Sequence, residues 1–200
     1  NGKFYREKIE GDKNRIKPRI RSHVSQNGEL RVDHFLELKT RSSTETNKYR
    51  KKITSNIRSK LLRLEPVANF SNDFVLAKFF DLDTHFCLSH SVSVAYKRFA
   101  YASGLFRNVR ITIDSQTSAS NTKAWDPRKT NDWLPVLPIT SVVLEVKVNG
   151  QLPNFIYQCL QELNLNHQTF SKYSSSIEVL NSRIMDAVVC DQNLLYRTRF

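Results

Sequence analysis

Residues 15–23 read Arg-Ile-Lys-Pro-Arg-Ile-Arg-Ser-His, and residues 30–40 read Leu-Arg-Val-Asp-His-Phe-Leu-Glu-Leu-Lys-Thr. Both stretches alternate with a period of two, which is typical of β-strands whose two faces differ. In the first, Lys17, Arg19, Arg21 and His23 share a face; in the second, Glu37, Lys39 and Arg41 lie opposite Leu36 and Leu38. Asn27-Gly28 has the turn chemistry of a tight hairpin. We therefore predict an antiparallel hairpin with one charged face and one apolar face.

The same alternation predicts three further strands, over Val92–Ala100, Val109–Asp114 and Val142–Val148. Helical periodicity predicts helices over Asn56–Leu64, after Pro153 and after Ser171. The helix after Pro153 places Phe155, Ile156, Leu160 and Leu163 on one face, and the helix after Ser171 has Ile177, Leu180 and Ile184 as its buried side. Residues 115–138 are polar and contain three prolines, which favours a long loop. The fold class is therefore α+β with a dominant antiparallel sheet.

The charged strand faces are mostly cationic. For a single strand, a polar face in water is the ordinary interpretation, but solvent faces usually mix charge signs, because like charges repel across strands. Closing these strands into a barrel points the charged faces inward and leaves the apolar faces to pack against outer helices. Crowded cations in such an interior need an anion, and a phosphate chain suits them. A glutamate among them can pair with its neighbours or hold a divalent metal against phosphate oxygens.

Composition also indicates a polyanionic partner. Lys plus Arg number 31 against 19 Asp plus Glu, a formal net charge of +12; nucleic acid, an anionic membrane surface and polyphosphate all fit this excess. The sequence has no apolar run of about 18 residues that would span a membrane. Its three cysteines are widely spaced, and its five glycines form no phosphate-binding loop. We expect a cytoplasmic protein with a single domain over residues 1–200 that binds phosphates through side chains.

A set of short motifs resembles a known family. They are Arg19-Ile20-Arg21, Phe35-Leu36-Glu37-Leu38-Lys39, Lys48-Tyr49-Arg50, Tyr96-Lys97-Arg98, residues 109–114 (Val-Arg-Ile-Thr-Ile-Asp), Leu144-Glu145-Val146-Lys147 and Phe170-Ser171-Lys172-Tyr173. In this order they resemble the VTC domain, which contains polyphosphate polymerases of the triphosphate tunnel metalloenzyme, or CYTH-like, superfamily. The resemblance covers roughly residues 15–175.

The resemblance implies an antiparallel barrel, or tunnel, that holds a triphosphate. The residues implied to contact phosphates are Arg19, Arg21, Lys39, Lys48, Arg98, Arg110, Lys147 and Lys172. Among them, the implied catalytic residues are Arg98, Arg110, Lys147 and Lys172. Glu145 is the implied ligand of a divalent metal, Mn²⁺ in preference to Mg²⁺, and Glu37 and Tyr96 support the site. The family has a further basic strand before Arg19, so we expect this chain to be N-terminally incomplete. As a second departure, His23 stands where the family usually has a tyrosine.

The implied activity transfers the γ-phosphate of ATP to a polyphosphate chain. A metal-dependent triphosphatase on the same fold is the nearest alternative, because water can replace the polyphosphate acceptor. A non-catalytic module that binds polyanions or nucleic acid is another; for this module, Tyr49 and Tyr101 are candidates for stacking on bases, although nucleic acid is the less favoured partner. ATP and inorganic polyphosphate or triphosphate are the expected partners, and the sequence indicates no protein partner.

Two smaller expectations complete the sequence prediction. Asp81 and Asp83 form a paired-carboxylate pattern that is equally typical of a strand end or turn. Among residues 48–52, we expect Lys48 to face the interior and the other cations to form a solvated rim.

Overall fold

In a computed structural model of the chain, residues 3–24, 32–43, 45–102, 108–123 and 131–182 are described. The chain divides into two compact units, Asn1–Ser91 (unit 1) and Val92–Phe200 (unit 2). Both combine antiparallel strands with helices, which confirms the α+β class. The closed barrel and the single domain over residues 1–200 stay predictions. None of the helices within the described ranges is long and apolar enough to cross a membrane.

The sheet of unit 1 consists of β1 (Arg15–Val24), β2 (Val32–Arg41) and β3 (Thr46–Ile53), paired antiparallel in that order. The two predicted strands are confirmed where they are described, and Asn27-Gly28 lies outside the described residues. In the register, Arg19 pairs with Glu37, and Glu37 pairs with Arg50. Charged side chains of all three strands therefore share one face.

The opposite face of this sheet carries the core of unit 1. Leu36 and Leu38 are 0% exposed and pack with apolar residues of α2 (Ser55–Arg63) and α3 (Phe74–Phe86). Each such buried leucine stabilises the fold by about 1.5–3 kcal/mol. The expectation that helices cover the apolar face is confirmed here.

The helices of unit 1 begin at polar caps. Thr54 Oγ1 accepts a hydrogen bond from the amide of Ile57 at 3.2 Å and starts α2, which confirms the predicted helix to within one residue. Asp73 Oδ1 accepts from two amides at 3.0 Å and starts α3. Asp81 and Asp83 lie within α3, so their assignment to a strand end or turn is wrong. A further helix, α1, covers Lys3–Ile9.

Unit 2 is built around a long central strand. β5 (Val109–Ser120) pairs with β4 (Ser93–Ala102), β6 (Leu134–Pro135) and β7 (Val142–Val148), all antiparallel. Ala95 pairs with Ser118 but Lys97 with Ser115, so β5 carries one extra residue there. Gln116 adopts the left-handed conformation, with φ 52°, at this bulge. The three predicted strands are confirmed, but the loop predicted over residues 115–138 is wrong where β5 and β6 occupy it.

In unit 2, the predicted helices are present, but several apolar residues of α4 and of the sheet are more exposed than expected. The predicted helix after Pro153 is α4 (Asn154–Glu162); Ile156 is buried, whereas Phe155 and Leu163 are 49% and 66% exposed. Residues 172–182 form α5, with Leu180 buried as predicted; Ile184 lies outside the described residues. On the sheet, Phe99 and Tyr101 are 60% and 58% exposed, so the expected helical cover is wrong for these residues.

Candidate functional site

Strand register builds a cationic face on unit 1. Lys17, Lys39 and Lys48 stand side by side across the sheet, and Arg19, Glu37 and Arg50 form the next row. We refer to these two rows, together with Arg21, as the cationic face. Lys39 is exposed, and within the described part of the chain it makes no ion pair. This face therefore concentrates positive charge around a single acid, Glu37.

Glu37 is buried beneath the cations that it holds. Its side chain is 2% exposed, and Oε2 accepts a hydrogen bond from Arg19 Nε at 2.6 Å. Oε1 lies 2.7 Å from Lys48 Nζ and 3.5 Å from Arg50 Nε. Burial raises the pKa of Glu37, but the hydrogen bond from Lys48 and the charge of Arg19 outweigh it, so the pKa is lowered overall. Glu37 is therefore a carboxylate at neutral pH and fixes the cations around it.

Arg50 is a member of this face that sequence reasoning placed at the rim. Its guanidinium carbon lies 3.5 Å from the centroid of the Phe35 ring, a cation–π contact that adds to its approach to Glu37. The sequence contains the information needed to place Arg50 on this face, because Arg50 lies two residues after Lys48 and so on the same side of β3. Lys51 points to the opposite face, where its amine contacts Asp73 at 2.5 Å.

Unit 2 has a second buried acid, Asp114, at the middle of β5. Asp114 is 0% exposed, and its two oxygens accept hydrogen bonds from Arg98 Nε and Nη2 at 2.5 and 2.6 Å. Lys172 Nζ lies 2.7 Å from Oδ2 of the same carboxylate. Burial raises the pKa of Asp114, but the hydrogen bonds from Arg98 and Lys172 outweigh it and lower the pKa overall. We call Arg98, Asp114 and Lys172 the Asp114 cluster.

Local structure sets the position of Lys172. Ser171 precedes α5, and its Oγ accepts a hydrogen bond from Ser174 Oγ at 3.1 Å, while its carbonyl accepts from the Ser175 amide at 3.0 Å. Lys172 is consequently the first helical residue, with its amine directed to the sheet. The Tyr96 ring centroid lies 5.1 Å from both Lys172 Nζ and Arg98 Cζ. Tyr96 thus packs against both cations of the Asp114 cluster.

Glu145 differs from the two buried acids because its contacts are longer and its side chain is 41% exposed. Oε1 lies 3.2 Å from Lys147 Nζ, and Oε2 lies 3.7 Å from Arg98 Nη2. Thr112 Oγ1 donates a long hydrogen bond to Oε2 at 3.4 Å. Arg110, which pairs with Lys147 across the strands, is exposed and has no ion-pair partner in the ranges that are described. Glu145 therefore offers a carboxylate that remains open to a further ligand.

A model of the VTC domain family matches residues 1–181 of this chain. The chain belongs to the VTC domain family. That family is associated in general with polyphosphate polymerases, and its placement in the triphosphate tunnel superfamily is consistent with the match. A comparison with curated proteins finds no significant match.

The predicted site residues of this VTC domain fall into two groups. Unit 1 holds Arg19, Arg21, Glu37, Lys39 and Lys48 on the cationic face. Unit 2 holds Tyr96, Arg98, Arg110, Glu145, Lys147 and Lys172 around β5. Within each unit, the structure brings the predicted residues together on one sheet face, which Lys172 reaches from α5. Their roles stay predictions.

Sequence reasoning missed the position of Asp114 within the VTC domain site. The alternation of residues 109–114 places Asp114 on the charged face, but nothing local shows that Arg98 and Lys172 converge on it. Strand pairing supplies Arg98, which is directly opposite Asp114, and α5 supplies Lys172. Contacts between residues so far apart in sequence come from tertiary structure, which a motif does not encode.

A divalent metal fits Glu145 better than it fits the buried acids. The described ranges contain no group of three His, Cys, Asp or Glu side chains that would hold a metal ion by themselves. Glu37 and Asp114 are saturated by cations, whereas Glu145 is partly exposed. Mg²⁺-type ions are commonly held by one or two carboxylates together with phosphate oxygens and water. The VTC domain therefore suits a metal that arrives with a phosphate ligand.

Proposed function

We propose that this VTC domain is a polyphosphate polymerase that moves the γ-phosphate of ATP to the end of a polyphosphate chain and releases ADP. The observation that supports this most is that each unit has a buried acid, Glu37 or Asp114, which holds at least two cations in place. Cations fixed in advance neutralise phosphate charge without having to reorganise during the reaction. Motifs around them match a family associated with this activity.

In the proposed reaction, an oxygen of the terminal acceptor phosphate forms a bond to the γ-phosphorus. The bond from that phosphorus to the β–γ bridging oxygen breaks, and its electron pair leaves with ADP. Such transfers pass through a loose transition state, so positioning and charge neutralisation supply most of the catalysis. Arg98, Arg110, Lys147 and Lys172 of unit 2 are assigned to the transferring phosphate, and the cationic face of unit 1 is assigned separately to phosphate binding.

A divalent metal belongs to the same proposal, with Glu145 as its protein ligand. When bound, Mn²⁺ or Mg²⁺ would supply charge neutralisation at the phosphate oxygens. The closed barrel implied by the resemblance and a cytoplasmic location, where ATP is available, are also parts of this proposal.

The placement of Tyr49 and Tyr101, the two candidates for stacking on bases, favours a phosphate ligand over nucleic acid. Tyr49 contacts Phe74 on the sheet face opposite Lys48 and Arg50, and Tyr101 lies opposite the face that carries Arg98. A module that binds single strands combines cations and stacking aromatics on one surface. In the described sheets these two tyrosines are separated from the cations.

The test is to incubate the purified chain with ATP and Mn²⁺, with and without a short polyphosphate primer, and to resolve the products on a gel. A ladder of long chains together with ADP supports the polymerase. Orthophosphate without longer chains supports the triphosphatase, and binding of tripolyphosphate without any product supports a non-catalytic module.

The Glu145→Gln variant tests the metal assignment. We expect turnover to be lost while tripolyphosphate binding partly survives, because the cations remain but the metal ligand does not. Asp81→Asn is the matched control, since Asp81 is an exposed helical acid whose pairing with Lys78 is on the surface. Unchanged activity of Glu145→Gln would contradict the assignment of Glu145 as the metal ligand.

A further inference from the structure

Asp114 occupies an unusual position for a charged residue. It is completely buried, on the central strand of unit 2, and every contact of its carboxylate given above is with a cation that the proposed function assigns to phosphate. The two hydrogen bonds from Arg98 use two of the five N–H donors of the guanidinium, and the contact with Lys172 uses one of three ammonium donors. Both cations therefore keep donors for another anion.

The contacts with Asp114 fix the orientation of the Arg98 and Lys172 side chains as well as the position of their charges. A bidentate pair between a guanidinium and a carboxylate holds both groups in one plane, so Arg98 cannot rotate about its long side chain. Lys172 is restrained by the same carboxylate and by its place at the start of α5. Tyr96 lies against both cations. Two long side chains that are mobile on most surfaces are thus held by one acid.

A purely stabilising role does not account well for a charge at this position. Burying a carboxylate costs free energy, and well-packed apolar residues often stabilise a fold as much as a buried ion pair does. The presence of an acid at the centre of the cluster is better explained by the way it holds Arg98 and Lys172.

We propose that Asp114 is a positioning residue that holds Arg98 and Lys172 in place for phosphoryl transfer. This proposal rests on the proposed function, since the transferred group is the phosphate assigned to these cations. Asp114 does not touch the substrate; it acts through Arg98 and Lys172. It also opposes ligand binding slightly, because it places a negative charge beside a site for phosphate.

The proposal predicts opposite effects on binding and turnover. In Asp114→Asn, one negative charge disappears and the two cations lose their shared anchor. We expect adenylyl imidodiphosphate, a non-hydrolysable ATP analogue, to bind at least as tightly as to the wild type. We expect kcat to fall roughly ten- to a hundredfold, because cations that must be ordered during the reaction stabilise the transition state less. Asp114→Glu, which keeps the charge, is expected to recover part of kcat.

Three measurements form the experiment: calorimetric Kd for adenylyl imidodiphosphate, kcat for polyphosphate formation, and the ¹⁵N–¹H signal of the Arg98 side-chain Nε–H, assigned by its loss in Arg98→Lys. In the wild type, the Arg98 Nε hydrogen should be protected from exchange with water. In Asp114→Asn, we expect this protection to be lost. Asp81→Asn is the control for removal of an acid away from the cluster. Thermal unfolding shows whether each variant is folded.

A folded Asp114→Asn variant with unchanged kcat overturns the positioning role. The role is also overturned if binding and kcat fall together in proportion to a loss of thermal stability. If Asp114→Asn does not fold, Asp114→Glu decides through kcat and the Arg98 Nε–H signal together. Reduced kcat with a less protected Nε–H at near-normal Kd supports the role, whereas reduced kcat with wild-type protection, or wild-type kcat with lost protection, refutes it. If the wild-type chain binds the analogue but makes no polyphosphate, the proposed polymerase reaction is contradicted, and the positioning role is not. The Nε–H signal then still shows whether Asp114 holds Arg98, and no change in Asp114→Asn contradicts that.

Discussion

Glu37 is a carboxylate whose burial and whose neighbours act on it in opposite directions. Burial raises its pKa, but Lys48 and Arg19 lower it further than burial raises it, because both contacts are charge-assisted hydrogen bonds or ion pairs under 3 Å. The three cations around it are each 42–56% exposed. Water therefore screens part of each interaction and lowers the free energy that each contact contributes to folding.

We predict that Glu37→Gln lowers the free energy of unfolding by about 1–2 kcal/mol, because the cations of the neighbouring strands then repel without a shared counter-charge. Urea denaturation of both proteins at pH 7 measures this difference. Glu65→Gln is the control, since Glu65 pairs with Arg63 on the exposed surface and should leave stability unchanged. Equal stability of Glu37→Gln and the wild type would show that Glu37 contributes nothing to folding.

The same variant tests how the contribution of Glu37 to folding stability changes with pH, and the lowered pKa of Glu37 predicts the direction of that change. The pKa of Glu37 is lower in the folded state than its ordinary value of 4.5. Its contribution is therefore complete above the unfolded pKa and is lost as pH falls through the folded pKa. The difference in stability between wild type and Glu37→Gln should accordingly be constant near neutral pH and disappear in acid. A difference that grows as the pH falls contradicts the assignment.

At the scale of elements, β2 shows how one strand serves two purposes. Leu36 and Leu38 are 0% exposed against α2 and α3, while Lys39 is exposed on the cationic face. The period of two separates the core residues of this strand from the residues that the proposed function assigns to phosphate binding.

We predict that Leu36→Ala lowers the free energy of unfolding by about 2–5 kcal/mol, because it leaves a cavity between the sheet and its helices. Lys39→Ala in the same strand should change stability little and weaken tripolyphosphate binding. Chemical denaturation and calorimetry of the two variants separate these effects. A Lys39→Ala variant that unfolds as readily as Leu36→Ala would contradict the division between the faces.

Elements with strict alternation could be predicted from sequence, and elements without it could not. β1, β2 and β7 were predicted because charged and apolar residues alternate regularly. The end of β5 was missed because residues 115–120 contain serines, a glutamine and a threonine, and the bulge at Gln116 breaks the alternation. Helix α3 was missed because apolar residues surround it on several sides, so no helical period stands out. Candidate cations followed from alternation and motifs, but their grouping around Asp114 depends on tertiary contacts.

At the scale of the whole molecule, the net charge of +12 is not spread evenly. The cationic face gathers six Lys and Arg side chains, Lys17, Lys39, Lys48, Arg19, Arg21 and Arg50, around Glu37. Repulsion among these cations opposes folding, and a bound polyanion relieves it. A ligand that binds only the folded state also stabilises it by mass action. We therefore expect the stability of this protein to be coupled to the binding of a polyanion.

We predict that tripolyphosphate at about 100 times its Kd raises the free energy of unfolding by about 2.7 kcal/mol, which appears as a higher Tm in a thermal scan. Sodium chloride at the same ionic strength is the solution control, since screening alone reduces repulsion without occupying a site. Lys39→Ala should diminish the tripolyphosphate shift at fixed concentration, because a phosphate contact is lost. Lys60→Ala, which removes the same charge from α2, should retain the full shift. If both variants lose it equally, the protein responds to net charge and the cationic face is not a defined binding site.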